Sequence, residues 1–166
     1  GDAGGWFQEF EIGLPLRPGA CALTVGGRPV AGVGTLACSA DGTVQGPLVD
    51  AAAEGADLRG AIAWIRRPAA GGAASIRNEL RRVAEAGAVG AVIREGADLR
   101  TDVPPDPLTF ESVPGSVALP VVTIPDAALE QELLVQSFLD APAALAASVL
   151  RPDARSRNVL GLLPGS

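Results

Sequence analysis

The side chains that could do chemistry in this sequence are carboxylates, arginines and two cysteines. There is no histidine, tyrosine or methionine, and all 13 basic residues are arginines. Without histidine, a serine or cysteine nucleophile lacks its usual imidazole base, and two cysteines with carboxylates make a poor zinc site. The composition therefore predicts no catalytic residue and no metal site. A hydrolase that uses only two carboxylates across a cleft stays open as an alternative.

The most regular acidic pattern lies in a proline-rich stretch, residues 96–118. Asp98, Asp102 and Asp106 recur every four residues, but the prolines among them exclude a continuous helix that would align three ligands. Such a long aperiodic stretch is either a solvated insertion or a surface loop that touches a neighbouring domain or substrate. On the second interpretation these three aspartates, together with Arg100, are candidate contact residues.

A second candidate contact is the arginine pair at the end of a predicted strand. Arg66 and Arg67 precede Pro68, and guanidinium groups bind carboxylates of acidic partners or peptides. The alternative is ordinary solvated charge at a strand end, which contributes little.

The two cysteines, Cys21 and Cys38, are 17 positions apart, and each lies in an apolar segment. If these segments pair around the turn at residues 26–29, the thiols could form a disulfide. The alternative is two buried thiols, because free cysteine is among the most buried residue types.

One short match to a dinucleotide-binding pattern, G-x-G-x-x-A at residues 32–37, has the wrong context. That pattern requires a following helix, and the turn signal Asp41-Gly42 comes too soon. We therefore predict glycines that ease a β turn, with no cofactor.

The element around which the chain is organised runs from Gly60 to Glu95 as strand, helix and strand. An apolar strand at 61–65 is followed by a helix capped by Ser75 and ended by Gly87, and then by a strand at 89–93. A unit of this size is usually a right-handed parallel crossover.

The first sixty residues are mostly β, with Pro47 indicating an edge strand or a bulge. The remaining predicted elements are strands at 6–14, 21–25, 33–39, 43–49, 119–124 and 158–163, a helix beginning at Asp126, a strand or short helix at 143–150, and a polar connector at 151–157.

The whole composition limits the class of partner. The 166 residues are 48% hydrophobic with a net charge of −6, which favours a globular chain and argues against nucleic acid, whose phosphates need clustered positive charge. No apolar run approaches the roughly 18 residues of a membrane span.

The order of these segments resembles the protease-associated (PA) domain family. The resemblance rests on GAIAWIRR at 60–67, AEAGAVGAVI at 84–93 and LPVVTIP at 119–125, and it covers about residues 43–138. A glycine that the family often carries in its second helix is absent. The resemblance implies an α/β fold of the swivelling β/β/α type, a mixed β sandwich or partial barrel flanked by two main helices. The implied divisions are an entering β segment at 1–42, the core at 43–138, and a closing strand with a connection at 139–166.

The final segment, SRNVLGLLPGS at 156–166, is similar to the strand that enters the catalytic domain of di-zinc aminopeptidases carrying a PA domain. This resemblance implies a non-catalytic domain of a secreted or cell-envelope bacterial metallopeptidase, with zinc in a catalytic domain beyond this chain. Its implied partners are its own peptidase domain and peptide or protein substrates. An independent interaction module in an envelope protein is the alternative.

Overall fold

The computed structural model describes residues 6–67, 72–94, 108–124, 135 and 137–160. Most of the strands form one eight-stranded sheet, in the order β4-β3-β10-β6-β7-β8-β9-β5. In chain order the elements are β1 (Trp6–Gly13), β2 (Arg17–Pro18), β3 (Ala22–Val25), β4 (Arg28–Pro29), β5 (Gly34–Thr35), β6 (Gly42–Asp50), β7 (Ile62–Arg66), α1 (Gly72–Glu85), β8 (Gly90–Arg94), β9 (Val121–Ile124), β10 (Pro142–Ala147), β11 (Val149–Leu150) and β12 (Asp153–Leu160).

The centre of the sheet is parallel, and its flanks are antiparallel. Strands β6, β7, β8 and β9 run parallel in that order, while β10, β3 and β4 extend one side and β5 closes the other in antiparallel pairing. The sheet curls into a mixed half-barrel, which confirms the predicted α/β fold class. The predicted second helix falls largely outside the described residues, although Val135 and Ser137 are helical.

Apolar side chains cover both faces of the central strands. On β7, Ala63 and Ile65 belong to the cluster that packs under α1, whereas Ile62 and Trp64 belong to the cluster on the opposite face. Burial on both faces explains why the central strands are continuous apolar runs rather than alternating ones. Helix α1 contributes Ile76, Leu80 and Val83, all buried, to the first cluster.

The helix ends where the sequence predicts but begins earlier. Gly87 has a left-handed φ of 91°. The Ala88 N–H donates to the Val83 carbonyl at 3.1 Å, and the Gly87 N–H donates to the Ala84 carbonyl at 3.0 Å, which is a Schellman motif. The predicted cap at Ser75 is wrong, because α1 already begins at Gly72 and Ser75 lies in its first turn.

The chain enters and leaves the sheet through a two-stranded ribbon, which we call the stem. Strand β1 pairs antiparallel with β12 from Trp6 opposite Leu160 to Gly13 opposite Asp153. The predicted polar connector at 151–157 is therefore wrong, because most of it is strand β12. The ambiguous segment at 143–150 is strand, split between β10 and β11.

Strand β6 is not an edge strand, because it lies between β10 and β7, but Pro47 itself is paired on one side only. Pro47 faces Pro142 of β10, and the pairing with β7 begins one residue later at Leu48. The proline thus lies where β6 passes from one partner to the other. The predicted strand at 33–39 shortens to Gly34–Thr35.

Candidate interaction site

The arginine pair predicted from the sequence lies at the carboxyl edge of the parallel strands. Arg66 ends β7 directly opposite Arg94, which ends β8, and the Arg67 N–H extends the ladder to the Arg94 carbonyl at 3.2 Å. In open parallel sheets, ligands bind outside this edge. The topology therefore brings three arginines, Arg66, Arg67 and Arg94, together at this edge.

Arg66 is engaged within the domain. Its Nη2 donates to Oδ2 of Asp50 at 2.7 Å, and the Arg66 side chain is 55% exposed while that of Asp50 is 16% exposed. Asp50 is fixed in turn because its Oδ1 accepts the Ala52 N–H at 3.0 Å. Only the arginine half of this ion pair is largely exposed, so the Arg66 guanidinium faces solvent while Asp50 is mostly covered.

The other predicted contact residues, Asp98, Arg100, Asp102 and Asp106, lie outside the described residues. Their role stays a prediction.

The cysteines are free thiols, so the disulfide alternative is not formed. Cys38 is buried in the cluster under α1, whereas Cys21 packs against the cluster on the opposite face of the sheet. The Cys21 thiol instead donates to the Val33 carbonyl at 3.2 Å. Burial raises the pKa of both thiols above its usual value, which makes them poor nucleophiles.

The glycines of the dinucleotide-like pattern belong to β structure, as predicted. Gly32 has a φ of 69°, and Gly34 lies in β5, where a Cβ would approach Thr123 Oγ1 at 2.9 Å. The neighbouring Thr35 hydroxyl is buried and donates to the Val121 carbonyl at 2.8 Å. No helix follows before Asp41, so the phosphate-binding context is missing.

Sequence reasoning missed a cleft between α1 and the loop segment 116–118. It has a volume of about 370 Å³, near the lower end of ligand pockets. The segment is anchored by the Val117 N–H, which donates at 2.8 Å to the carbonyl of Cys38, in the turn between β5 and β6. The walls come from segments about thirty positions apart, so no local motif could reveal them. The lining residues are Arg81, Ala84, Glu85, Ser116, Val117 and Ala118.

A polar clamp at the base of the stem was also missed. Oδ1 of Asp41 accepts the Val149 N–H at 2.5 Å, and Oδ2 accepts from Arg151 Nη1 at 2.9 Å. Asp41 precedes β6, and Val149 begins β11, just before the stem strand β12. One carboxylate thus ties the sheet to the segment that leaves it.

The described part of the chain lacks both a metal-binding cluster and a membrane-spanning helix. No group of three or more Cys, Asp or Glu side chains there is arranged to hold a metal ion. That part also contains no helix with the length and apolar character needed to cross a bilayer.

Comparison with known proteins gives a family match and two structural likenesses. Residues 27–131 match the family model described as "PA domain". A subtilisin-like protease, Apa1, from the Antarctic psychrotroph Pseudoalteromonas sp. AS-11 matches 81% of the chain with a TM-score of 0.59 and 15% identity. A peptidase M28 precursor from Shewanella amazonensis SB2B matches 93% with a TM-score of 0.54 and 22% identity. The chain spans 34% and 40% of those two proteins, respectively. Comparison with curated proteins gave no significant match.

Proposed function

Because the chain belongs to the PA domain family, we propose that it is the non-catalytic domain of a larger peptidase. In this role it modulates the access of substrates to the catalytic domain or binds peptide segments. The family match is the observation that carries this proposal. The likeness to two proteases of different classes supports it, because both contain this fold within a longer chain.

The stem gives the proposal a physical basis. Strands β1 and β12 pair over eight residue positions, so the entering and leaving segments run side by side. An isolated two-stranded ribbon is marginally stable in water. We therefore propose that the stem adjoins the peptidase domain, which would be the first partner of this chain.

We further propose that the parent is a secreted or cell-envelope zinc aminopeptidase. Support comes from the segment at 156–166, which is similar to the entry strand of such enzymes, and from the M28 likeness over 93% of the chain. Zinc would be held by the catalytic domain and not by residues of this chain.

Arg66 and Arg67 are the contacts that we propose for peptide carboxylates, together with the loop that carries Asp98, Arg100, Asp102 and Asp106. The support is the position of Arg66 at the carboxyl edge and its single exposed ion pair with Asp50. A carboxylate from a substrate would bind the solvent-facing part of the Arg66 guanidinium.

A direct test compares the purified 166-residue chain with its full-length parent. Both are assayed on chromogenic aminoacyl and glycosyl substrates, with zinc and with a chelator. We expect turnover by the parent alone, lost on chelation. Robust turnover by the chain itself would contradict the non-catalytic role, and chelator-resistant peptidase activity of the parent would contradict the zinc assignment.

An independent interaction module remains the second candidate, because the matched fold is a domain rather than a complete enzyme. The coding sequence after Ser166 distinguishes the two. A His-x-Asp pair within a few tens of residues supports the peptidase, and its absence favours the module.

A further inference from the structure

The cleft between α1 and residues 116–118 has one helical wall and one loop wall. Ala84 and Val117 are partly buried and form an apolar floor, since both pack against the core under α1. Ser116 and Ala118 are exposed on the loop wall. A volume of about 370 Å³ suits a few residues of an extended peptide rather than a folded surface.

The loop wall has backbone groups available for hydrogen bonds. The Val117 N–H already donates a hydrogen bond to the Cys38 carbonyl, within the domain. Among the described residues, the N–H and C=O groups of Ser116 and Ala118 make no hydrogen bond. Exposed loop backbone with unpaired N–H and C=O groups can hydrogen-bond to the backbone of a bound peptide, and flanking side chains then supply specificity.

The helical wall carries one charge of each sign. Arg81 and Glu85 both line the cleft, and within the described part of the chain neither forms an ion pair or a side-chain hydrogen bond. Their order, with the cation before the anion at i,i+4, is the weaker orientation for an internal pair. The next residue, Arg82, differs because it is fully engaged with Glu79.

The spacing of these charges matches an extended peptide. Four residues along an α-helix advance about 6 Å. Two residues along a strand advance about 6.6 Å and return to the same face. Side chains of opposite sign at positions i and i+2 of an extended peptide would therefore reach Arg81 and Glu85 together, with the intervening residue turned away.

We propose that this cleft binds an extended, unfolded segment of the peptidase's polypeptide substrates that carries an acidic and a basic residue two positions apart. The acidic side chain pairs with Arg81 and the basic one with Glu85, while the peptide backbone pairs with residues 116–118. This inference rests on the proposed function and names the substrate feature that the domain recognises.

The test is an NMR titration of the 15N-labelled chain with capped pentapeptides. The probe is Ala-Glu-Ala-Lys-Ala, and the control of equal composition, Ala-Glu-Lys-Ala-Ala, puts the two charges on opposite faces. We expect the probe to shift amides of α1 near Arg81 and of residues 116–118, and to bind about threefold or more tightly than the control. Equal binding of the two peptides, shifts elsewhere, or no binding would overturn the proposal.

Charge reversal gives a matched pair of variants. Arg81→Glu should lower the affinity for the probe peptide about threefold to tenfold. The same variant should bind Ala-Lys-Ala-Lys-Ala more tightly than the parent chain does. Arg17→Glu makes the same charge change on exposed strand β2, away from the cleft, and should leave both affinities unchanged. The proposal fails if the two variants behave alike or if the dilysine peptide gains nothing from Arg81→Glu.

These outcomes are separate from those that test the proposed function. Failure of the peptides to bind removes the cleft as a recognition site but leaves a non-catalytic domain of a peptidase intact. Turnover by the isolated chain would contradict the proposed function, whether or not the peptides bind to the cleft.

Discussion

Replacing Asp41 should loosen the base of the stem. Its carboxylate accepts the Val149 N–H at 2.5 Å and pairs with Arg151 at 2.9 Å. A hydrogen bond to a charged group contributes about 1.5–3 kcal/mol, but the Asp41 side chain is 52% exposed, so the lower part of that range applies. The Arg151 pair is equally exposed and adds about 0.5 kcal/mol. We therefore expect Asp41→Ala to cost about 2 kcal/mol.

Three variants separate the two contacts. Arg151→Ala removes only the ion pair and should cost about 0.5 kcal/mol. Asp41→Asn keeps an oxygen that can accept the Val149 N–H. Its loss of unfolding free energy should therefore lie between those of Arg151→Ala and Asp41→Ala. Asp41→Ala also leaves a partly buried donor without its partner, which is the expensive outcome.

The assay is urea unfolding followed by tryptophan fluorescence, since Trp64 is fully buried. With a slope of about 2 kcal/mol per molar urea, Asp41→Ala should lower the midpoint by about 1 M and Arg151→Ala by about 0.25 M. If Arg151→Ala costs as much as Asp41→Ala, the clamp is only a surface ion pair. If Asp41→Ala costs less than about 0.3 kcal/mol, the hydrogen bond to Val149 contributes nothing.

Three further predictions concern the core, the thiols and the pH dependence. Leu80→Ala should lower the unfolding free energy by about 3 kcal/mol, because it empties a fully buried site under α1; Leu150→Ala, at a 53% exposed site, should change it by less than about 0.5 kcal/mol. Cys38 should resist iodoacetamide in the folded chain, and intact mass should show two alkylations in denaturant without reductant; fewer would mean that the thiols are bonded. Hydrogen bonds from Arg59 lower the pKa of Asp57 to about 2, so the stability that it contributes is complete above the unfolded pKa of about 3.9 and is lost as the pH falls towards 2. The stability gap between the parent chain and Asp57→Asn should therefore close over that range, and a gap that is constant with pH would refute the assignment.

The central unit was predictable because its signals are local. One stretch of sequence contains all of them: the apolar runs of β7 and β8, the apolar stripe on α1 and the glycine at position 87. The structure has a strand or helix where each was predicted. The start of α1 was misplaced at Ser75, since the alanines before it have high helix propensity and extend the helix upstream to Gly72.

The elements that sequence reasoning missed depend on pairing between distant segments. Residues 151–157 look like a polar connector, yet Asp153–Leu160 forms a strand because it meets β1 from the other end of the chain. Glu9 lies opposite Arg157 in that register, and Glu11 lies opposite Arg155. This register joins the two ends of the chain, so no local pattern in the sequence indicates it.

The same limit applied to the candidate sites. Arg66 could be placed at a strand end from sequence, but its partner Asp50 lies 16 positions away on the neighbouring strand. The cleft beside Arg81 requires the segment 116–118 to return onto the helix. The cysteines lie on opposite faces of the sheet, which the spacing of 17 residues could not reveal.

We propose above all that this PA domain governs how a peptidase receives its substrates without taking part in the chemistry. The most direct measurement is kcat/KM of the full-length parent and of the parent lacking these residues, on a single-residue chromogenic substrate and on a long unfolded polypeptide. The account predicts that removal changes the ratio of the two kcat/KM values while turnover of the small substrate persists. An unchanged ratio, or loss of all chemistry with recovery of turnover in the isolated 166-residue chain, would contradict it.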